Sequence, residues 1–120
     1  MAKVMVVDDA VSDLKLMESI LRGAGHDVVS LNSGEKLEDQ LQAEHPDVLL
    51  LDIVMPRRNG YDILRALRRD ARTRTTPVVL VSSKNQESDR AWGKKQGADE
   101  YLAKPFTPDQ LLSVVSRFAR

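Results

Sequence analysis

Four short, mostly apolar stretches of this 120-residue chain run directly into side chains able to do chemistry. Val4–Val7 is followed by Asp8 and Asp9, Val48–Leu51 by Asp52, Val78–Val81 by Ser82 and Ser83, and Glu100–Ala103 by Lys104. If these stretches are parallel strands of one open sheet, the residues gather beyond the carboxyl ends, where such sheets hold ligands. Three carboxylates at one sheet edge repel each other, and without a cation at least one should keep its proton to unusually high pH. A hard divalent ion removes the conflict, and Mg2+ favours a few carboxylates together with waters and a phosphate oxygen. A carboxylate can also attack phosphorus to give an aspartyl phosphate. That reaction needs charge neutralised on the phosphoryl oxygens more than it needs covalent help. Lys104 brings an ammonium for this purpose and Ser82 a hydroxyl.

Each residue alone has a plainer explanation. A single Asp after a strand is usually a turn former or a helix cap. Ser82 alone reads as a cap for the next helix, and Lys104 before Pro105 as a solvated loop lysine. Their joint occurrence, each after a different strand at one edge, favours the chemical reading.

The elements that must position these residues follow from the apolar pattern. Val4–Val7, Val28-Val29, Val48–Leu51 and Val78–Val81 are too short for helices and read as fully buried strands, with Glu100–Ala103 as a fifth. Between them Leu14, Met17, Leu21 and Ala24 step at helical spacing, as do Leu64 and Leu67, and later Leu111, Val114, Val115 and Phe118. A second helix is expected over roughly 34–44, while Gly23 and Gly25 fit the end of the first helix and Gly97 the end of the fourth. Strand and helix thus alternate five times. Right-handed crossovers turn such a series into an α/β fold, a parallel sheet with helices on both faces. Residues 1–120 are expected to form one domain, with no linker, repeat or second unit.

Composition narrows the function classes. Acidic and basic residues number 18 each, which argues against a chain-wide polycation for nucleic acid. The neutrality hides a split: residues 1–60 carry 11 acidic and 6 basic groups, and residues 61–120 carry 7 and 12. There is no cysteine, which removes disulfides and thiolate chemistry. No apolar run approaches the roughly 18 residues a membrane span needs, and no signal-peptide pattern opens the chain. Seven arginines between Arg57 and Arg74 face only Asp62 and Asp70; such a run is usually a solvated helix face with i,i+4 pairs. His26 and His45 lack metal-ligand spacing and read as surface residues, and the four methionines as packing.

With these residues in view, the chain resembles the receiver domain of bacterial two-component response regulators over essentially its whole length. The resemblance is carried by Val6-Val7-Asp8-Asp9, the run from Asp47 to Pro56, Asn59-Gly60, Ser82, the run from Gly97 to Tyr101, and Lys104-Pro105-Phe106. Receivers are among the folds that illustrate the strand-end rule, so that rule and the resemblance are not independent. The resemblance implies a flavodoxin-like, doubly wound (βα)5 fold with strand order 2-1-3-4-5. It implies a stand-alone cytoplasmic regulator without an output domain. Asp52 would be the phosphoacceptor, served by a sensor histidine kinase or histidine phosphotransfer domain. Asp9, Asp52 and the Val54 carbonyl would hold Mg2+ (or Mn2+), with Asp8 acting mainly through water. Lys104 would pair with the phosphoryl oxygens and Ser82 would be the switch hydroxyl. Tyr101, the switch aromatic, would turn inward once Ser82 moves and so reshape the face of helix 4, strand 5 and helix 5 for a downstream protein. The protein would be a monomer or a phosphorylation-dependent dimer, with no direct nucleic-acid contact and no enzymatic activity beyond its own phosphotransfer and dephosphorylation. The Lys104–Pro105 bond would be cis.

Some positions tune rather than define. Val54 and Lys84 occupy positions where receivers vary their self-dephosphorylation, and an apolar Val54 cannot orient an attacking water. Ser83 stands where receivers often have a small residue and keeps the site open. The run Asp89–Ala98 is similar to single-domain regulators of chemosensory systems that control type IV pilus motility. Its Trp92 is either a partner contact or a cover for the sheet. Two rivals on similar folds fit less well. An aspartyl phosphatase uses a second acid two residues after its nucleophile, where this chain has Val54, and a flavodoxin-like electron carrier needs a Ser/Thr-rich loop where this chain has Asp8-Asp9-Ala10.

Overall fold

The computed structural model describes residues 1–84 and 86–119. Strands β1 (Lys3–Val7), β2 (Asp27–Leu31), β3 (Val48–Asp52), β4 (Val78–Ser82) and β5 (Glu100–Ala103) alternate with helices α1 (Val11–Gly23), α2 (Leu37–Glu44), α3 (Gly60–Arg69), α4 (Glu87–Lys95) and α5 (Pro108–Ser116). All pairings are parallel and the order is β2-β1-β3-β4-β5, as the resemblance implies. Every residue of β3 and β4 is buried, which accounts for their unbroken apolar runs.

Alternation along the strands feeds two cores. Val4, Val6, Leu50 and Val81 face α1 and α5, meeting Leu14, Met17, Leu21, Leu111 and Val115. Met5, Val7, Leu49, Leu51 and Leu80 turn to the other side, against Leu37 and Leu41 of α2 and Ile63, Leu64 and Leu67 of α3. Helix α4 is the loosest layer, with Gly93 its one buried residue. Helix starts are set locally: Asn59 caps α3 by accepting from the Asp62 amide, and Thr107 and Gln110 close a capping box around Pro108 of α5.

Four expectations need adjustment. Helix α2 begins at Leu37 rather than near residue 34, because Gly34 is pressed against Ile63 and the chain turns through a left-handed Lys36. Ala24 lies outside the buried stripe of α1 as its exposed C-terminal cap, and Gly25 makes the left-handed turn that follows. His26 is half-buried, its Nδ1 accepting from the Ala2 amide to fasten the start of β1. The arginine run is more than a solvated face. Arg58 grips Glu38 of α2 through two bonds of 2.9 and 2.7 Å, and Arg68 donates to the carbonyls of Gly97, Arg74 and Thr76 and to Asp99. A neighbouring helix and the loops before β4 and β5 supply the partners that an isolated helix face could not. Among the described residues no helix is long and apolar enough to cross a membrane.

Candidate functional site

The site forms where β1, β3, β4 and β5 end. Parallel register puts Asp52 beside Val81 and Ser82 beside Ala103, so the last residues of neighbouring strands emerge at one edge. Asp8 follows β1 directly and is fully buried, while Asp9, one residue on, is exposed. The Asp8 carboxylate accepts from the Ala10 amide at 2.9 Å, which fixes its direction. One carboxylate oxygen from each of Asp8, Asp9 and Asp52 lies within 4.8 Å of the other two, an all-oxygen set suited to a hard cation. The structure thus brings together the three carboxylates expected to hold a metal.

Lys104 reaches into this cluster from the end of β5. Its ammonium lies 2.9 Å from Asp8, 3.0 Å from Asp13 and 3.4 Å from Asp52. Burial works to lower the Lys104 pKa, but the bonds to Asp8 and Asp13 and the charge of Asp52 outweigh it, and the net shift is upward. Asp52 shifts the other way for an acid: burial and then the Asp8 charge push it from 3.8 up to about 6, against the pull of Lys104. The repulsion expected of clustered carboxylates is present in the Asp8 charge, but burial is the larger cause. The Lys104–Pro105 bond is cis.

One feature escaped the sequence reading. Asp13, in the first turn of α1, is a fourth carboxylate at the site; it stands four residues after Asp9, one turn into the helix that strand β1 feeds. Gly60, of the Asn59-Gly60 pair that carries the resemblance, lets α3 start against the backbone of Asp52 and Ile53. A Cβ there would lie 2.5 Å from the Asp52 carbonyl oxygen and 2.8 Å from Ile53 Cα.

Ser82 is buried, and its Oγ accepts from the Lys84 amide at 3.2 Å. Tyr101 departs from expectation, because its ring is already inward: it is 5% exposed, packs beside Gly93, and donates its hydroxyl to the Lys84 carbonyl. Gly93 has no side chain to block that slot, and the Arg90 guanidinium stacks over the ring at 5.4 Å. Burial raises the Tyr101 pKa, keeping the phenol protonated as a donor. Val54 is exposed on the loop after β3, and Ser83 and Lys84 are exposed after β4. Trp92 projects from α4 with 47% exposure, so it does not cover the sheet. A groove runs along β5 and α5 up to Arg90 of α4, lined also by Tyr101, Ala103, Gln110 and Val114.

Comparison with known proteins agrees with this geometry. The family described as the response regulator receiver domain matches residues 4–116. Protein PilH of Pseudomonas aeruginosa is 40% identical over 116 residues, covering 97% of this chain and 96% of PilH. Protein PilG of the same organism is 34% identical over 113 residues, covering 94% of this chain and 84% of PilG. The transcriptional regulatory protein CpxR of Escherichia coli is 38% identical across all of this chain, which spans 50% of CpxR. Among solved structures, the chemotaxis protein CheY4 of Vibrio cholerae superposes with a TM-score of 0.89 at 30% identity, covering 98% of each chain. Fold, clustered strand-end acids and sequence kinship converge, and the chain belongs to the response regulator receiver domain family of two-component systems.

Proposed function

We propose that this chain works as a stand-alone response regulator in a chemosensory pathway of the pilus or chemotaxis kind, switched by phosphorylation of Asp52. The observation that carries this is the buried Asp52 carboxylate, flanked by Asp8 and Asp9 within 4.8 Å and faced by Lys104 at 3.4 Å. Asp52 attacks the phosphorus of a phosphohistidine on a sensor kinase or phosphotransfer domain; the new P–O bond forms as the P–N bond breaks, and the imidazole leaves. Asp8, Asp9, Asp52 and the Val54 carbonyl are the residues to hold Mg2+, which when bound neutralises charge on the phosphoryl oxygens. Lys104 donates to those oxygens. The chain performs its own phosphotransfer and later hydrolysis, and acts on no other substrate.

The output step runs through one residue, Lys84. The Ser82 hydroxyl accepts from the Lys84 amide, and Tyr101 donates to the Lys84 carbonyl. Turning Ser82 toward a phosphoryl group on Asp52 breaks the first bond and loosens the hold on Lys84. The switch in this chain therefore acts on Lys84, since the Tyr101 ring is already buried in this structure. The groove between Arg90 of α4, β5 and α5, together with the exposed Trp92 of α4, is the surface offered to a downstream protein. The kinship to PilH, matched over 96% of that protein's length, supports the stand-alone reading.

Incubation with acetyl phosphate and Mg2+ followed by intact mass measurement tests this. Wild type gains one phosphoryl group and Asp52→Asn gains none. Equal labelling of the two overturns the assignment.

A further inference from the structure

Asp13 has no part in the reaction as proposed, yet it holds the lysine that the reaction needs. The Lys104 ammonium has three N–H donors, and three carboxylates surround it. It sits nearer Asp8 (2.9 Å) and Asp13 (3.0 Å) than Asp52 (3.4 Å). A phosphoryl oxygen arriving at Asp52 must displace one of these partners. Asp8 is fully buried and tied to the Ala10 amide. Asp13 is the open one: its side chain is 42% exposed, and it lines a cleft with Leu16, Ser83, Lys104, Pro105 and Phe106 that opens beside the site.

We propose that Asp13 is a positioning residue that restrains phosphoryl transfer. It draws Lys104 toward α1 and away from Asp52, and it adds a fourth negative charge where an anionic phosphodonor approaches. Both effects slow the modification of Asp52, and both vanish when the charge is removed. The proposal rests on Asp52 being the phosphoacceptor. Asp13 also favours the start of α1 through the helix dipole, so the test needs readouts that helix stability does not move.

The full chain is labelled with acetyl phosphate and Mg2+, and the initial rate of adduct formation is followed by intact mass. Asp13→Asn and Asp13→Ser are expected to label about three- to tenfold faster than wild type at low ionic strength. The gain should shrink as salt screens the exposed charge. Asp13→Glu keeps the charge and should remain within about twofold of wild type. The Lys104 ammonium resonance in 15N NMR should move in Asp13→Asn and return in Asp13→Glu. Unchanged or slower labelling of both neutral variants overturns the proposal, as does a gain that salt leaves untouched and Asp13→Glu does not reverse. A wild type that takes no phosphoryl group overturns this proposal together with the assignment of Asp52, whereas a labelled wild type with indifferent Asp13 variants overturns this proposal alone.

Discussion

Asp52 shows what a buried carboxylate beside Asp8 costs even with Lys104 facing it. Burial and the neighbouring Asp8 charge raise its pKa to about 6, above its ordinary 3.8. An acid whose folded pKa is raised binds its proton more tightly in the native state than in the unfolded chain. Its contribution is therefore favourable at low pH and is lost as pH rises from about 4 to about 6. At neutral pH without metal the ionised carboxylate costs on the order of 3 kcal/mol. Asp52→Asn should accordingly stabilise the metal-free protein by about 1–3 kcal/mol at pH 7 in urea unfolding, and the gain should disappear near pH 4. A gain of the same size at both pH values would contradict the burial argument. Val54 bears on the lifetime of the proposed phosphoaspartate. Its exposed apolar side chain has no group to orient an attacking water, so the adduct should outlast seconds, and Val54→Gln should shorten it several-fold in a chase followed by mass.

Between elements, the contacts around the site are backbone-tight. Gly60 sits where any Cβ would strike the Asp52 carbonyl oxygen at 2.5 Å. Gly60→Ala favours the helix by propensity but forces α3 off β3, and a net loss of about 1–3 kcal/mol is expected, with slower phosphorylation. Arg68 joins α3 to the loops before β4 and β5 by donating to three carbonyls and Asp99. Arg68→Ala should cost about 2 kcal/mol in urea unfolding, because it strands partly buried acceptors. Arg69, the next residue on α3, is exposed, and Arg69→Ala should stay within about 0.5 kcal/mol. Equal costs for the two would show that Arg68 contributes only surface charge.

For the molecule as a whole, a metal bound only by the folded state adds stability by mass action. Mg2+ at about ten times its dissociation constant should add about 1.4 kcal/mol, a rise of a few degrees in Tm that EDTA reverses. Loss of most of that rise in Asp52→Asn would tie the effect to the acidic cluster. The sequence alone determined the α/β alternation, since strands buried on both faces must be unbroken apolar runs such as Val48–Leu51 and Val78–Val81. It also determined that Asp8, Asp9, Asp52, Ser82 and Lys104 gather at one sheet edge, because residues at the ends of parallel strands emerge there whatever the loops do. It placed the start of α2 too early and left Trp92 open between sheet cover and surface, matters set by what each segment packs against. Only the tertiary structure decided that Asp13 shares Lys104 with Asp8 and Asp52, a contact across 91 residues of sequence. The same holds for the buried Tyr101 and for the carbonyls that Arg68 ties together. Local periodicity reports which face of an element is apolar. The partner that a long side chain reaches depends on how neighbouring elements are stacked, and no local pattern encodes that distance.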